Sequence, residues 1–175
     1  MNFFICPICK SPFEQKGRSL VCPKNHCFDL SKQGYVNLLR PAKSGSVRHG
    51  DDKLMVGARS AFLGAGFYDI LRQAVTETVC AHAKENPVVL DAGCGEGYYS
   101  AGLAESLNAE LLGLDISKEA VRYAAGRYKE ALWLCASAAR LPMADHSVGL
   151  ITSLFALTMP EEFLRVLRPD GMFIQ

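Results

Sequence analysis

The chain has 175 residues, 49% of them apolar, enough for one ordinary domain or for a small one joined to a medium one around a packed core. It contains no apolar run of eighteen residues, and its start, Met1-Asn-Phe-Phe-Ile-Cys6, has neither a basic leader nor a small-residue cleavage site. Neither a membrane span nor a secretion signal is expected, and a cytoplasmic, reducing setting is. The net charge of +1 conceals an asymmetry: residues 1–59 hold ten Lys/Arg against four Asp/Glu, and residues 60–175 hold nine against fourteen. A basic first third suits contact with a phosphate backbone, although a solvated basic loop would carry the same charges.

Four of the seven cysteines fall at the start: Cys6, Cys9, Cys22 and Cys27, with His26 beside the last. Cys6-Pro-Ile-Cys9 is a C-x-x-C pair, whose two thiolates can bite one tetrahedral Zn²⁺, and a second pair across a β-hairpin completes such a site. Twelve residues separate Cys9 from Cys22, and His26 follows after three more. Proline after both Cys6 and Cys22 points to two similar knuckles, which favours His26 as the fourth ligand, with Cys27 as the alternative. In a reducing compartment the spacing reads as a structural zinc site and not a disulfide frame. About 35 residues cannot build a sufficient core unaided, so metal would supply folding energy and no chemistry. Cys80, Cys94 and Cys135 show no ligand spacing.

Gly34-Tyr-Val-Asn-Leu-Leu39 is a strand candidate that closes a first segment, 1–39. The stretch from Arg40 to Asp52 reads as a basic, breaker-rich linker, and residues 53–175 as a second domain. A helix starts at the Asp51/Asp52 cap with Leu54, Met55, Ala58 and Phe62 as its apolar face, and ends in the Gly64-Ala-Gly66 turn. A second helix from about Tyr68 carries Leu71, Val75 and Val79 and stops before Pro87. From there apolar runs at 88–92, 110–116, 132–136, 148–155 and 172–175 alternate with helices near 98–107, 118–129 and 160–167. Such alternation specifies an α/β fold, a doubly wound and mostly parallel Rossmann-like sheet, behind a small zinc-ribbon-like β module. The fifth strand is the last in the chain, so the sheet is expected to be incomplete and the chain an N-terminal piece of a longer protein.

Val88-Val-Leu-Asp-Ala-Gly-Cys-Gly-Glu-Gly97 concentrates the chemistry. A β-branched run, an acid and three glycines spaced by two form a strand that opens into a loop a ligand can approach closely. Asp115 ends the next apolar run, where a carboxylate can meet the two hydroxyls of a ribose. A nucleoside-bearing cofactor follows. The dinucleotide pattern G-x-G-x-x-G fails, because Tyr98 and Ser100 stand where it needs glycine.

The pattern D-x-G-x-G-x-G resembles motif I of the class I S-adenosylmethionine-dependent methyltransferases. The order of parts, namely C-x-x-C…C-x-x-x-H, Gly-Tyr-Val-Asn-Leu-Leu, Ala58-Arg-Ser-Ala-Phe-Leu-Gly-Ala-Gly-Phe-Tyr68 and the glycine loop, resembles the 23S rRNA guanine-N1 methyltransferases of the RlmA/TlrB type over the whole chain. The resemblance implies methyl transfer from S-adenosylmethionine to N1 of a guanine in a 23S rRNA hairpin loop, with the zinc module helping to recognise the RNA. It matches Cys6, Cys9, Cys22 and His26 to zinc ligands, Gly93, Gly95, Glu96 and Gly97 to the cofactor loop, Asp115 to the ribose acid, and Tyr68 to an aromatic residue that reaches the cofactor. On sequence, Tyr68 fits a core position as well. No residue is assigned to accept the N1 proton, so the catalytic group is unknown. Ile151-Thr-Ser-Leu-Phe-Ala156 lacks the signature used on exocyclic amines and the cysteine used on pyrimidine C5, which is compatible with a ring nitrogen. A small-molecule methyltransferase, or a non-enzymatic zinc protein that binds RNA or the ribosome, remains as an alternative. A homodimer is compatible with the sequence.

Overall fold

Short, near-continuous apolar runs build this fold: successive residues of a strand face opposite sides of the sheet, and in β-runs such as Leu111–Leu114 both sides are buried. The computed structural model describes residues 3–39, 50–84 and 87–175; most of the expected linker, 40–49, lies outside the described residues. The chain begins with three short antiparallel strands, β1 (Glu14–Lys16), β2 (Ser19–Val21) and β3 (Cys27–Asp29). The β1–β2 turn is tight, with Gly17 at φ 60. The next strand, β4 (Tyr35–Asn37), pairs in parallel with β7 (Leu132–Cys135). The last strand of the first segment is therefore the edge of the large sheet.

Among the described residues that sheet has six strands in the order β4-β7-β6-β5-β8-β9, all parallel, with β5 at Val88–Ala92, β6 at Glu110–Asp115, β8 at Val148–Thr152 and β9 at Leu167–Ile174. The helices are α1 (Lys53–Gly64), α2 (Asp69–His82), α3 (Tyr98–Ser106), α4 (Lys118–Arg127) and α5 (Pro160–Val166). On one face Leu90, Leu112, Leu134 and Ile151 pack with Phe163 and Val166 of α5 and with Phe3, Phe4 and Leu20 from the ribbon segment. The ribbon thus occupies a position that a further helix takes in an ordinary doubly wound sheet. Backbone bonds fix it there: Ile5 N–H donates to the Pro142 carbonyl at 3.0 Å and Ala144 N–H to the Phe3 carbonyl at 2.8 Å. On the other face Val89, Leu111 and Leu150 meet Val79 of α2 and Leu103 of α3, and Trp133 meets Val121 and Ala124 of α4. A Cβ at Gly113 would lie 2.3 Å from the Trp133 ring, so this glycine makes room for the indole.

Two sequence expectations change. The face of α1 that carries Leu54, Met55, Ala58 and Phe62 is exposed, Leu54 to 81%, and the buried residues are Val56, Ser60 and Leu63. The helix is rotated because α1 packs on α4 and not on the sheet, and its Ser60 hydroxyl meets the Tyr123 hydroxyl at 2.6 Å. The run 148–155 ends as a strand at Thr152, since Phe155 takes a left-handed φ of 56 that no strand accommodates. No single described helix is long and apolar enough to cross a membrane.

Candidate functional site

Strand order reverses around β5: the chain winds from β5 out to β6 and β7, then returns to β8 on the other side. In open α/β sheets the crevice beyond the carboxyl ends of the strands at such a switch point is where ligands bind. A cavity of about 400 Å³ lies there, within the range of small-ligand sites.

Its floor is the glycine loop. Gly93 and Cys94 N–H groups both donate to the Leu114 carbonyl, at 2.7 and 3.0 Å, which ties the loop to the end of β6. Gly93 has φ 91, and a Cβ there would come within 2.3 Å of Ala156 Cβ in the loop after β8. Gly95 has φ 54 with nothing within 4 Å of a Cβ position, so its backbone faces open cavity. Gly97, the left-handed N-cap of α3, has a different task and is not part of the cavity lining: its missing Cβ admits the Trp133 ring, 2.7 Å away.

Asp91, on the central strand, is the buried post under this loop. Its carboxylate accepts from Ser100 Oγ at 2.5 Å and from Thr152 Oγ1 at 3.1 Å, joining β5 to α3 and β8. Burial pushes its pKa up to about 6. Asp115 accepts from Gly95 N–H at 2.9 Å and Ser117 N–H at 2.7 Å, which locks the second acid against the glycine loop. Burial raises its pKa, and those two N–H groups act in the opposite direction. Glu96 also lines the cavity, with its pKa raised by burial.

The far wall is aromatic. Tyr68, half-buried at the start of α2, lines the cavity in place of packing in the core, with ring centroids 5.6 Å from Phe62 and 6.2 Å from Phe155. Tyr99 lines it too and has a buried hydroxyl without a hydrogen-bond partner. Tyr98 turns away, donating to Asp69 at 2.6 Å. Arg59 and Asp51 stand at the mouth as an ion pair at 2.8 Å, and Ser117 Oγ donates to the Asp51 carbonyl. The expected cofactor residues Tyr68, Gly93, Gly95, Glu96 and Asp115 thus meet at one cavity. Sequence reading missed Asp51, Arg59, Phe62 and Phe155 there. The Asp51/Asp52 cap was the available signal for the first two, and nothing local marks Phe155.

At the other end of the molecule Cys6, Cys9, Cys22 and His26 present ligand atoms that all lie within 4.8 Å of one another. Cys6 Sγ and Cys22 Sγ stand 3.5 and 3.3 Å from His26 Nδ1, and Cys9 Sγ stands 3.5 Å from Cys22 Sγ. Bonds of about 2.3 Å to a tetrahedral zinc give ligand separations of about 3.8 Å, so the donor set and its size both fit that ion. The two knuckles are alike in kind but differ by one residue in length: Lys10 N–H donates back four residues to the Cys6 carbonyl and Asn25 N–H back three to the Cys22 carbonyl, each at 2.8 Å, with Lys10 and Asn25 both left-handed. Cys27 is exposed, faces Asp29 and stands outside the cluster.

Comparison with known proteins follows the same division. Residues 4–46 match the family model for the N-terminal zinc ribbon of RlmA, and residues 89–171 match a methyltransferase domain. A Streptomyces fradiae protein, the 23S rRNA (guanine(748)-N(1))-methyltransferase, is 37% identical over 179 residues, covering 99% of this chain and 62% of its own length. A Micromonospora griseorubida protein, provisionally named as a 23S rRNA guanine-N1 methyltransferase, is 38% identical over 97% of this chain and 63% of its own. The chain spans slightly under two thirds of the length of these curated relatives. Among solved structures, a TehB-like S-adenosylmethionine-dependent methyltransferase from Corynebacterium glutamicum superposes with a TM-score of 0.56 at 25% identity over 68% of each chain. An Aquifex aeolicus methyltransferase, with a TM-score of 0.55 at 24% identity over 69% of each, shows the same fold.

Fold and site are those of a Rossmann-like α/β domain with a switch-point cavity and a ribbon module docked on its sheet. The chain is similar, segment by segment, to methyltransferases that carry an RlmA-type N-terminal zinc ribbon.

Proposed function

We propose that the protein binds S-adenosylmethionine in the switch-point cavity and transfers its methyl group to N1 of a guanine in 23S rRNA, in a hairpin loop where N1 is free of pairing. The observation that carries this reading is the lock between Asp115 and Gly95, which sets a carboxylate at a strand end against an open stretch of backbone. The cofactor would supply an electrophilic methyl group on a sulfonium. Asp115 would accept hydrogen bonds from the ribose hydroxyls through lone pairs that Gly95 and Ser117 leave free. Gly93 and Gly95 would let the methionine end lie against the backbone, and Tyr68 with Phe155 would keep water from that end. Asp91 acts indirectly, by holding the loop in place.

The ribbon would position RNA and do no chemistry. Its exposed Lys16 and Lys24 belong to the basic first third of the sequence, and the charge suits phosphate contacts. The division of labour is a zinc module over 1–39 and a cofactor domain over 53–175, joined through β4.

Calorimetric titration with S-adenosylmethionine, followed by mass-spectrometric mapping of 23S rRNA incubated with protein and cofactor, tests the proposal. Saturable binding and one methylated guanine are expected. Binding without RNA methylation, together with methyl transfer to small acceptors, would replace it with the small-molecule reading; absence of cofactor binding would leave a non-enzymatic zinc protein.

A further inference from the structure

Phe155 combines features that packing alone does not call for. Its side chain is 75% exposed, yet its backbone sits at φ 56, a region that L side chains rarely adopt. Strained residues of this kind persist only when their surroundings over-determine them, and they cluster at ligand sites. The surroundings here do hold the loop: Thr152 is bound to Asp91, Ser153 N–H donates to the Ile174 carbonyl at 3.0 Å, and Ala156 lies against Gly93. The frame is rigid and the aromatic ring is presented outward from it.

Phe155 also stands between two cavities. It lines the cofactor cavity and a second one of about 620 Å³ bounded by Leu71 and Val75 of α2. Each cavity has a buried hydroxyl with no hydrogen-bond partner, Tyr99 on the first and the fully buried Ser153 on the second. The Phe155 ring is 6.2 Å from Tyr99, tilted by 40°, and 6.2 Å edge-on from Tyr68. The result is an aromatic ledge flanked by two unused polar groups.

Strand order decides which ring such a ledge can meet. Asp115 ends β6, and Phe155 follows β8, with β5 between them. At about 4.8 Å per strand the two are on the order of 10 Å apart. A ribose held by Asp115 would leave the cofactor's adenine on the β6 side, away from Phe155. The ledge lies instead at the methionine end, beside Gly93, where an acceptor has to approach. Resting on the reading of the cavity as an S-adenosylmethionine site, we infer that Phe155 is the stacking platform for the acceptor purine, with the unpartnered Tyr99 hydroxyl on the same cavity facing its polar edge. An unpaired base splayed from an RNA loop presents both the flat face and the hydrogen-bonding edge that this arrangement takes.

The test measures 2-aminopurine fluorescence in a single-stranded RNA oligonucleotide titrated with the full chain, zinc-loaded and saturated with S-adenosylhomocysteine. Stacking on Phe155 should quench the probe. Phe155→Gly, which suits a left-handed position, measured with S-adenosylhomocysteine kept saturating at that variant's own affinity, should weaken oligonucleotide binding roughly tenfold or more, as expected for loss of one base–aromatic stack. Phe155→Tyr should restore quenching. Unchanged quenching in Phe155→Gly, with cofactor binding intact, overturns the platform and spares the cofactor reading. Failure of the wild-type chain to bind S-adenosylmethionine overturns both.

Discussion

Substituting Gly93 by alanine probes the joint between the glycine loop and the loop after β8. Two penalties apply. At φ 91 an L side chain is strained, which costs about 1–2 kcal/mol. The new Cβ also meets Ala156 Cβ at 2.3 Å, a separation that real contacts do not show, so one loop has to yield by about an ångström. Over-packing of this sort costs about 1–3 kcal/mol. Gly93→Ala should therefore destabilise the fold by about 2–5 kcal/mol, read as a shift in urea midpoint at constant m with zinc in excess. Ala156→Gly removes the obstructing methyl. The double variant should recover the steric share, giving a favourable coupling of about 1–3 kcal/mol, and should keep the backbone share. A Gly93→Ala cost below about 1 kcal/mol, or a coupling indistinguishable from zero, would refute the claim that these two loops are pressed together.

Asp115→Ala should abolish calorimetrically detectable S-adenosylmethionine binding, and unchanged affinity would remove its ribose role. For Asp91 the folded pKa of about 6 lies above the ordinary 3.8, so the folded state holds more protons between those values and stability falls as pH rises through that window. Relative to Asp91→Asn, which does not titrate, wild type should lose about 2 kcal/mol between pH 4 and pH 6 and less than about 0.5 kcal/mol further above it; a flat difference would contradict the burial. Chelating zinc should lower the melting temperature of the whole chain, because Phe3, Phe4 and Leu20 lie in the core of the large sheet; loss of ribbon signals alone, with the main transition unmoved, would show the two parts uncoupled. His26→Ala should lower bound zinc measured by mass spectrometry, whereas Cys27→Ser should leave one ion per chain.

The α/β alternation was legible because each strand from β5 onward is a short apolar run between helical periods, with bounds that differ from the expected ones by a residue or a few. The cofactor loop and Asp115 were legible for a related reason: positive φ, close approach and a carboxylate at a strand end each restrict residue type at one position. The Cys6, Cys9, Cys22 and His26 set was readable from spacing, and these four side chains cluster while Cys27 stands outside them. What the sequence hid is tertiary. The apolar residues Leu54, Met55 and Phe62 have helical spacing whichever way α1 is turned, and it is the bond from Ser60 to Tyr123 on α4 that turns it. Phe155 sits in an apolar run that local pattern extends into strand β8, and only the junction of Ala156 with Gly93 turns the chain there.

The placement of β4 follows a similar logic and bears on how the two parts work together. A parallel sheet is stable when both faces are covered, and an open edge offers unpaired N–H and C=O groups. Tyr35–Asn37 pairs with β7 and closes that edge, and Leu38 N–H continues the pairing to the Cys135 carbonyl at 2.8 Å. Phe3, Phe4 and Leu20 cover part of one face. The ribbon is too small to hold these residues in position by its own core, so the zinc cluster that orders Cys6, Cys9, Cys22 and His26 also fixes the strand and the side chains that complete the sheet. A metal held by these four side chains thereby supports the sheet whose carboxyl ends carry the switch-point cavity.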